Sequence, residues 1–157
     1  MTTYLFPKAE RDALPESTSI HQFNPKAIRQ VRTLTELAGL DRIGLHVVRV
    51  TQGHESTEHH THDNDEEFLV ILAGRGIAVI GDERHEVAAG DIMAFPVGSP
   101  AHALNNPHEE DLVYVMGGER NKNDVVHYPN IERSMVKTGN RRYWTDWKHQ
   151  HELPKKF

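Results

Sequence analysis

The chain has 157 residues, a formal net charge of −5 from 18 Lys and Arg against 23 Asp and Glu, and no cysteine. That length is one domain's worth, with room for a real core, and the missing cysteines exclude both a disulfide framework and a thiolate metal site. The acidic balance argues against a nucleic-acid partner, which calls for a basic patch, and the cluster of Arg141 and Arg142 with Lys148, Lys155 and Lys156 reads as solvated surface.

Residues 1–24 mix charge, Pro7, Pro15 and small polar residues without a period, and read as an irregular arm with at most a short helical turn. Their start, MTTYLFPKAERDALPES, lacks the basic-then-apolar order of a secretory signal. No apolar run in the chain approaches the roughly 18–20 residues that span a bilayer. A cytoplasmic location with no membrane partner is therefore expected. Pro25 to Arg32 carries no clear signal, and Leu34 to Leu40 suits one helical turn ending near Gly39. Arg42 to Gln52, RIGLHVVRVTQ, alternates and is rich in β-branched residues, which predicts a strand. Its two faces carry Ile43, Leu45, Val47 and Arg49 on one side and His46, Val48 and Val50 on the other, so His46 or Arg49 could reach a cavity.

Gly53 to Gly76, GHESTEHHTHDNDEEFLVILAGRG, is the stretch that points to chemistry. In an extended strand alternate side chains share a face, so His60 and His62 project together past Thr61. Two neutral imidazoles on one side of a strand suit one metal ion. Asp63-Asn64-Asp65 is a run of turn formers that could bring Glu67 alongside as a third ligand. His59 competes with His60, and Glu66 with Glu67. Only His60 makes His-x-His with His62, and only Glu67 shares a face with Leu69 and Ile71.

Phe68 to Leu72, Ile77 to Ile80, Arg84 to Ala88, Ile92 to Phe95, Ala101 to Leu104 and Leu112 to Met116 then read as short strands punctuated by Gly and Pro turns. Such spacing indicates an antiparallel sandwich or barrel. In the tail, Trp144 and Trp147 are spaced as on one helical face, for packing onto the barrel or a second subunit.

Two segments together resemble the cupin superfamily. Its first motif, roughly G-x5-HxH-x3,4-E-x6-G, is met by Gly53, His60, His62, Glu67 and Gly74; its second, roughly G-x5-PxG-x2-H-x3-N, by Gly90, Pro96, Gly98, His102 and Asn106. Each has one extra residue, before His60 and before His102. The resemblance covers residues 43–117 and implies an all-β, single-domain jelly-roll barrel with irregular or short helical terminal arms. It implies an arm at 1–40, a barrel core at 41–118, and a C-terminal arm at 119–157 that packs on the barrel or on a partner subunit. His60, His62, Glu67 and His102 would be the ligands of one divalent transition metal ion (Zn, Fe, Mn or Ni). A small-molecule substrate or ligand and a homodimer are the expected partners.

The resemblance is nearest to small bacterial cupins called sugar-phosphate-isomerase-like, meaning similar to mannose-6-phosphate isomerase. An isomerase of a small polar or sugar-like substrate needs an inward acid or base beyond the ligands, and His46 and Tyr114 are the candidate catalytic residues. Arg49, Arg75, Arg84 and Arg120 are the candidates for holding a phosphate. An iron-dependent dioxygenase and a non-catalytic binding or sensing module are the other readings, because fold alone does not decide among them.

Overall fold

The computed structural model describes residues 3–151. Lys155 and Lys156 of the basic cluster lie outside them. A short helix, α1 (Lys8–Asp12), precedes the strands β1 (Ser17–His21), β2 (Asn24–Thr33), β3 (Ile43–Val50), β4 (Thr61–His62) and β5 (Glu67–Ala73). There follow β6 (Arg75–Ile80), β7 (Glu83–Ala88), β8 (Ile92–Phe95), β9 (His102–Asn105), β10 (Leu112–Glu119), β11 (Asn123–Tyr128), β12 (Arg133–Thr138) and β13 (Arg141–Asp146).

The strands form three ladders: β1-β2-β3-β10-β5-β8, β13-β12-β11-β4 and β7-β6-β9. Every strand pairing is antiparallel. Antiparallel ladders tolerate one wet face, and β5 shows the resulting alternation: Leu69 and Ile71 are buried while Phe68 and Leu72 are exposed. Between β5 and β6 the chain bends at Gly74 to pass from the six-stranded to the three-stranded ladder; its φ of 73° suits glycine, and any Cβ there would run into the Asp111 carbonyl. Asn106 ties the loop after β9 to the sheet, its amide donating to the carbonyls of Val50 and Glu110, each at 2.8 Å.

The core gathers Val48, Val50, Leu69, Ile71, Ala78, Val87, Leu112 and Tyr114 between the six-stranded and three-stranded ladders. Leu69, Met93, Phe95, Leu104 and Tyr114 belong to this core and also to the wall of an internal cavity of about 180 Å³. The site is thus mounted directly on the buried core.

The terminal segments hold more strand than expected. Ser17–His21, expected to be irregular, pairs with β2, and β2 extends the sheet beyond β3. This covers an edge that would otherwise be open to another chain. Trp144 and Trp147 do not share a helix: Trp144 lies in β13 and Trp147 begins a 3-10 turn. Trp144 nonetheless packs inward against His21, Phe23 and Tyr128. Trp147 donates its indole N–H to the Ser134 hydroxyl.

Candidate metal centre

Backbone pairing brings the first two imidazoles together. His60 and His102 form an isolated antiparallel bridge, His60 N donating to His102 O at 3.1 Å and His102 N to His60 O at 2.7 Å. Residues directly opposite in such a bridge project to the same face, and the two ring centroids are 4.8 Å apart. The Thr61 hydroxyl, donating to Ser99 O at 2.8 Å, fastens the same strand to the turn ahead of His102. His62 is the next residue on that face of the strand. Glu67 opens β5, opposite Gly118 of β10 and Phe95 of β8. A Cβ on Gly118 would come within 3.0 Å of the Glu67 Cγ, so glycine there leaves the carboxylate its room.

The four side chains converge. The Nε2 atoms of His60, His62 and His102 lie 3.6, 3.6 and 3.3 Å from one oxygen, Glu67 Oε2. The opposite ring nitrogens are engaged elsewhere: His60 Nδ1 with Glu58 O at 3.0 Å, His62 Nδ1 with Asp124 Oδ2 at 2.7 Å, and His102 Nδ1 with Pro100 O at 3.4 Å. A proton on each Nδ1 leaves Nε2 bare as a donor atom, the usual support for a metal-binding histidine. The His102 ring also stacks on Phe95 with centroids 3.5 Å apart, and the His60 ring on Tyr128.

Electrostatics agree with this division. Burial opposes ionisation of Glu67, yet without a metal any proton that His102 or His60 carries on Nε2 is donated to it, and with the neighbouring imidazoles this holds its carboxyl well below the usual range; a cation would take that proton's place. Burial keeps His60 low and therefore neutral. For His62 burial works the same way, but the Asp124 hydrogen bond and the Glu67 charge outweigh it and raise the pKa.

His60, His62 and Glu67 form a group that could hold a metal ion. The residues pass a test of fit, because the buried Nε2 of His62 has no hydrogen-bond partner. Orphaned buried polar atoms are rare in native structures and call for an explanation, and here a cation would supply one. Three neutral imidazoles and one carboxylate total about −1, suited to a divalent ion with positions left for water or substrate. His59, the rival to His60, is not in this group, and neither is His102, which stands beside it with its Nε2 3.3 Å from Glu67 Oε2.

The other predicted residues divide. Tyr114 is fully buried and lines the cavity with the histidines. His46 does not; it lines an adjoining recess that shares His62, Glu67 and Met116 with the cavity, its Nδ1 3.2 Å from the Thr33 hydroxyl. Burial and the nearby Arg29 depress the His46 pKa, so this imidazole is neutral. Arg49 pairs with Glu16 and Asp111, Arg75 with Glu110, and Arg120 with Glu36 at 3.7 Å, while Arg84 lies exposed on β7; none of the four lines the cavity, but Arg120 lines the adjoining recess with His46, His62 and Glu67. Two residues that sequence reasoning passed over stand in or behind the site. Asp124, 2 % exposed, holds His62 from behind. Arg29 reaches the cavity wall from β2.

Stacked antiparallel ladders with three histidines and a glutamate lining one cavity define a small jelly-roll protein with a group that could hold a metal ion. Residues 46–118 match the family model for the cupin domain. A protein of Acidithiobacillus ferrooxidans, provisionally named a sugar phosphate isomerase, has 30% sequence identity and a TM-score of 0.92, with 96% of this chain and 97% of that one covered. A cupin-superfamily sugar phosphate isomerase of Silicibacter pomeroyi has 22% identity and a TM-score of 0.81, covering 94% and 97%. A predicted oxalate decarboxylase of Thermotoga maritima shares the fold at 16% identity and a TM-score of 0.60, covering 69% and 95%. No curated protein matches the chain. The chain belongs to the cupin superfamily.

Proposed function

We propose that this cupin is a metal-dependent enzyme acting on a small polar or sugar-like substrate, in the manner of an isomerase. His60, His62, Glu67 and His102 would hold one divalent transition metal ion. The observation that carries the reading is the convergence of three Nε2 atoms on Glu67 Oε2, with every Nδ1 engaged on its far side. When bound, such an ion polarises a carbonyl and holds an adjacent hydroxyl oxygen. The name carried by the Acidithiobacillus ferrooxidans protein supports the isomerase class.

The chain's own side chains supply the rest. Ser56 and Thr57 offer hydroxyls to a sugar-like substrate on the cavity wall. Burial raises the Tyr114 pKa, so near neutrality its phenol keeps the proton and serves as a donor to a substrate oxygen. His46, being neutral, is the available proton acceptor, and it approaches Glu67 and His62 from the adjoining recess. The apolar wall of Leu69, Met93, Phe95 and Leu104 keeps bulk water away. That same wall favours the second reading, an iron-dependent dioxygenase, which oxygen uptake by the iron-loaded protein would select.

A homodimer accompanies the proposal, as cyclic dimers are the commonest assembly. It is supported by Phe68, Ile92 and Val97, which are exposed on and beside the β5–β8 edge of the large sheet. Light scattering at the monomer mass would remove it.

The deciding experiment is elemental analysis of protein purified without a histidine tag, beside its His62→Ala variant. The wild type is expected to carry close to one divalent ion per chain and the variant far less; equal content in the two would refute the site. A thermal-shift screen of small metabolites on the loaded protein then identifies the ligand class, since a molecule that binds only the native state raises Tm.

A further inference from the structure

Arg29 stands on β2, ahead of the residues matched by the family model. Strand alternation places it with Ala27, which is buried, and Val31, which packs against the core. Its guanidinium therefore faces the cavity that His60, His62, Glu67 and His102 also line. Other arginines of the molecule meet acids: Arg32 and Arg49 meet Glu16, Arg75 meets Glu110, and Arg133 meets Asp146. Arg29 has no carboxylate within 4.0 Å among the described residues, and its hydrogen-bond contact is the Met116 thioether at 4.0 Å, a weak acceptor. The acids nearby are taken: Glu67 faces three imidazoles and Glu58 accepts from Asn24 at 2.6 Å.

Beside Arg29 stands a second unmet group. The Tyr114 side chain is 0 % exposed and its hydroxyl has no hydrogen-bond partner. Its polar neighbours are Arg29 and Ser56, whose side chains come close enough to favour the ionised phenol but close no well-formed hydrogen bond to it. A permanently charged, half-buried fork whose best contacts are a thioether and this phenol, on the same cavity wall as a buried hydroxyl, leaves donors poorly satisfied. An oxyanion satisfies both at once, because guanidinium donates two parallel N–H bonds to carboxylate or phosphoryl oxygens and the phenol donates a third.

We propose that Arg29 and Tyr114 form an anion-recognition site facing the metal centre, so that the substrate is a compact anion with a terminal carboxylate or phosphoryl group. The inference rests on the metal-dependent reading above for the far end of the substrate. The cavity is small, about 180 Å³, and the same walls carry Arg29, Tyr114 and the histidines, so a compact molecule can reach both ends.

The test is calorimetric titration of the metal-loaded full chain with glycolate, phosphoglycolate and the neutral glycolamide. One anion is expected to bind at least about tenfold more tightly than glycolamide, the scale of a hydrogen-bonded charge. Whichever of glycolate and phosphoglycolate binds better identifies the anionic group. Arg29→Met is expected to lose that preference, by about 10- to 100-fold, while metal content and glycolamide affinity stay put. Tyr114→Phe, which removes one oxygen, is expected to weaken the anion several-fold at unchanged metal content. Should Arg29→Met fail to fold, Arg29→Lys keeps the charge without the fork and is expected to fall between the two. Anion affinity equal to that of glycolamide, or unchanged in the arginine variants, overturns the proposal. A wild type with no more metal than His62→Ala defeats the metal reading instead, and the loss of anion binding in Arg29→Met still reports on this site.

Discussion

Replacing Asp124 by asparagine keeps the side chain's shape and removes one acceptor. The two carboxylate oxygens have separate tasks: Oδ2 accepts from His62 Nδ1 at 2.7 Å, and Oδ1 accepts from the backbone N–H of Asn64 at 2.9 Å. An amide has one oxygen for these two donors. If that oxygen stays on Asn64, the new NH2 faces His62 Nδ1 and obliges it to accept. The imidazole proton then moves to Nε2, the atom aimed at Glu67, and the ligand is blocked. If the oxygen turns to His62 instead, the Asn64 N–H is left facing an NH2 and its part-buried hydrogen bond is lost, at a cost of about 1 kcal/mol. Either way the metal-bound state suffers. Loss of such a supporting partner costs about 10- to 100-fold in metal affinity, which corresponds to about 1.4–2.7 kcal/mol. The assay is competition against a chromophoric chelator at pH 8, with Tm of the metal-free proteins recorded alongside. Asp124→Asn holding metal as tightly as wild type would refute the claim that Asp124 sets the His62 tautomer.

Three further outcomes follow from the same geometry. Proton and metal compete for His62 Nε2, and the pKa of His62 is raised above its ordinary 6.5 by Asp124 and Glu67 against the effect of burial. Metal retention is thus expected to be complete at pH 8 and to fall as pH drops through that raised value, measured by dialysis at stepped pH and elemental analysis; flat retention down to pH 5 contradicts it. In metal-free protein the sign reverses: the raised pKa adds stability that is fully present below 6.5 and lost as pH rises through the folded value. Asn106→Ala strands the buried Val50 carbonyl, at roughly 1–3 kcal/mol, and removes the part-buried bond to Glu110, at about 1 kcal/mol, so a loss of about 2–4 kcal/mol is expected in urea unfolding, with a Tm change below 2 °C counting against it. Gly118→Ala forces a methyl to within 3.0 Å of Glu67 Cγ and 3.2 Å of Glu66 O. It is expected to cost about 1–3 kcal/mol by overpacking and to lower metal affinity; unchanged affinity would show that Glu67 has room to spare.

What could be read from the sequence, and what could not, divides along physical lines. Glu67, Leu69 and Ile71 were legible because a half-buried strand alternates, and the structure buries Leu69 and Ile71 on the Glu67 side. His60 prevailed over His59 for the same reason. Asp124 was illegible: its role depends on the pairing of β4 with β11, which brings it to His62 across 62 positions, and nothing in NDVVHY marks an acid that will face an imidazole. Arg29 was half-legible, since Ala27, Arg29 and Val31 alternate, but Pro25 and the charges around it obscured the strand. The pairing of β1 with β2 was hidden because STSIH carries little apolar signal and is held chiefly by backbone ladder bonds. The Trp144 and Trp147 interval resembled a helix because three positions also separate a strand residue from the first residue of a 3-10 turn.

The pairing of β4 with β11 has a consequence for how this barrel can change over time. All four donors fall between residues 60 and 102, so a chain ending at 118 would own every one of them and yet lack Asp124, Val126 and Tyr128, which buttress and enclose them. The tail is therefore an adjustable collar around a fixed socket. A change in the tail alters how basic the His62 nitrogen is and which guest the chamber admits, while all four donors keep their identities.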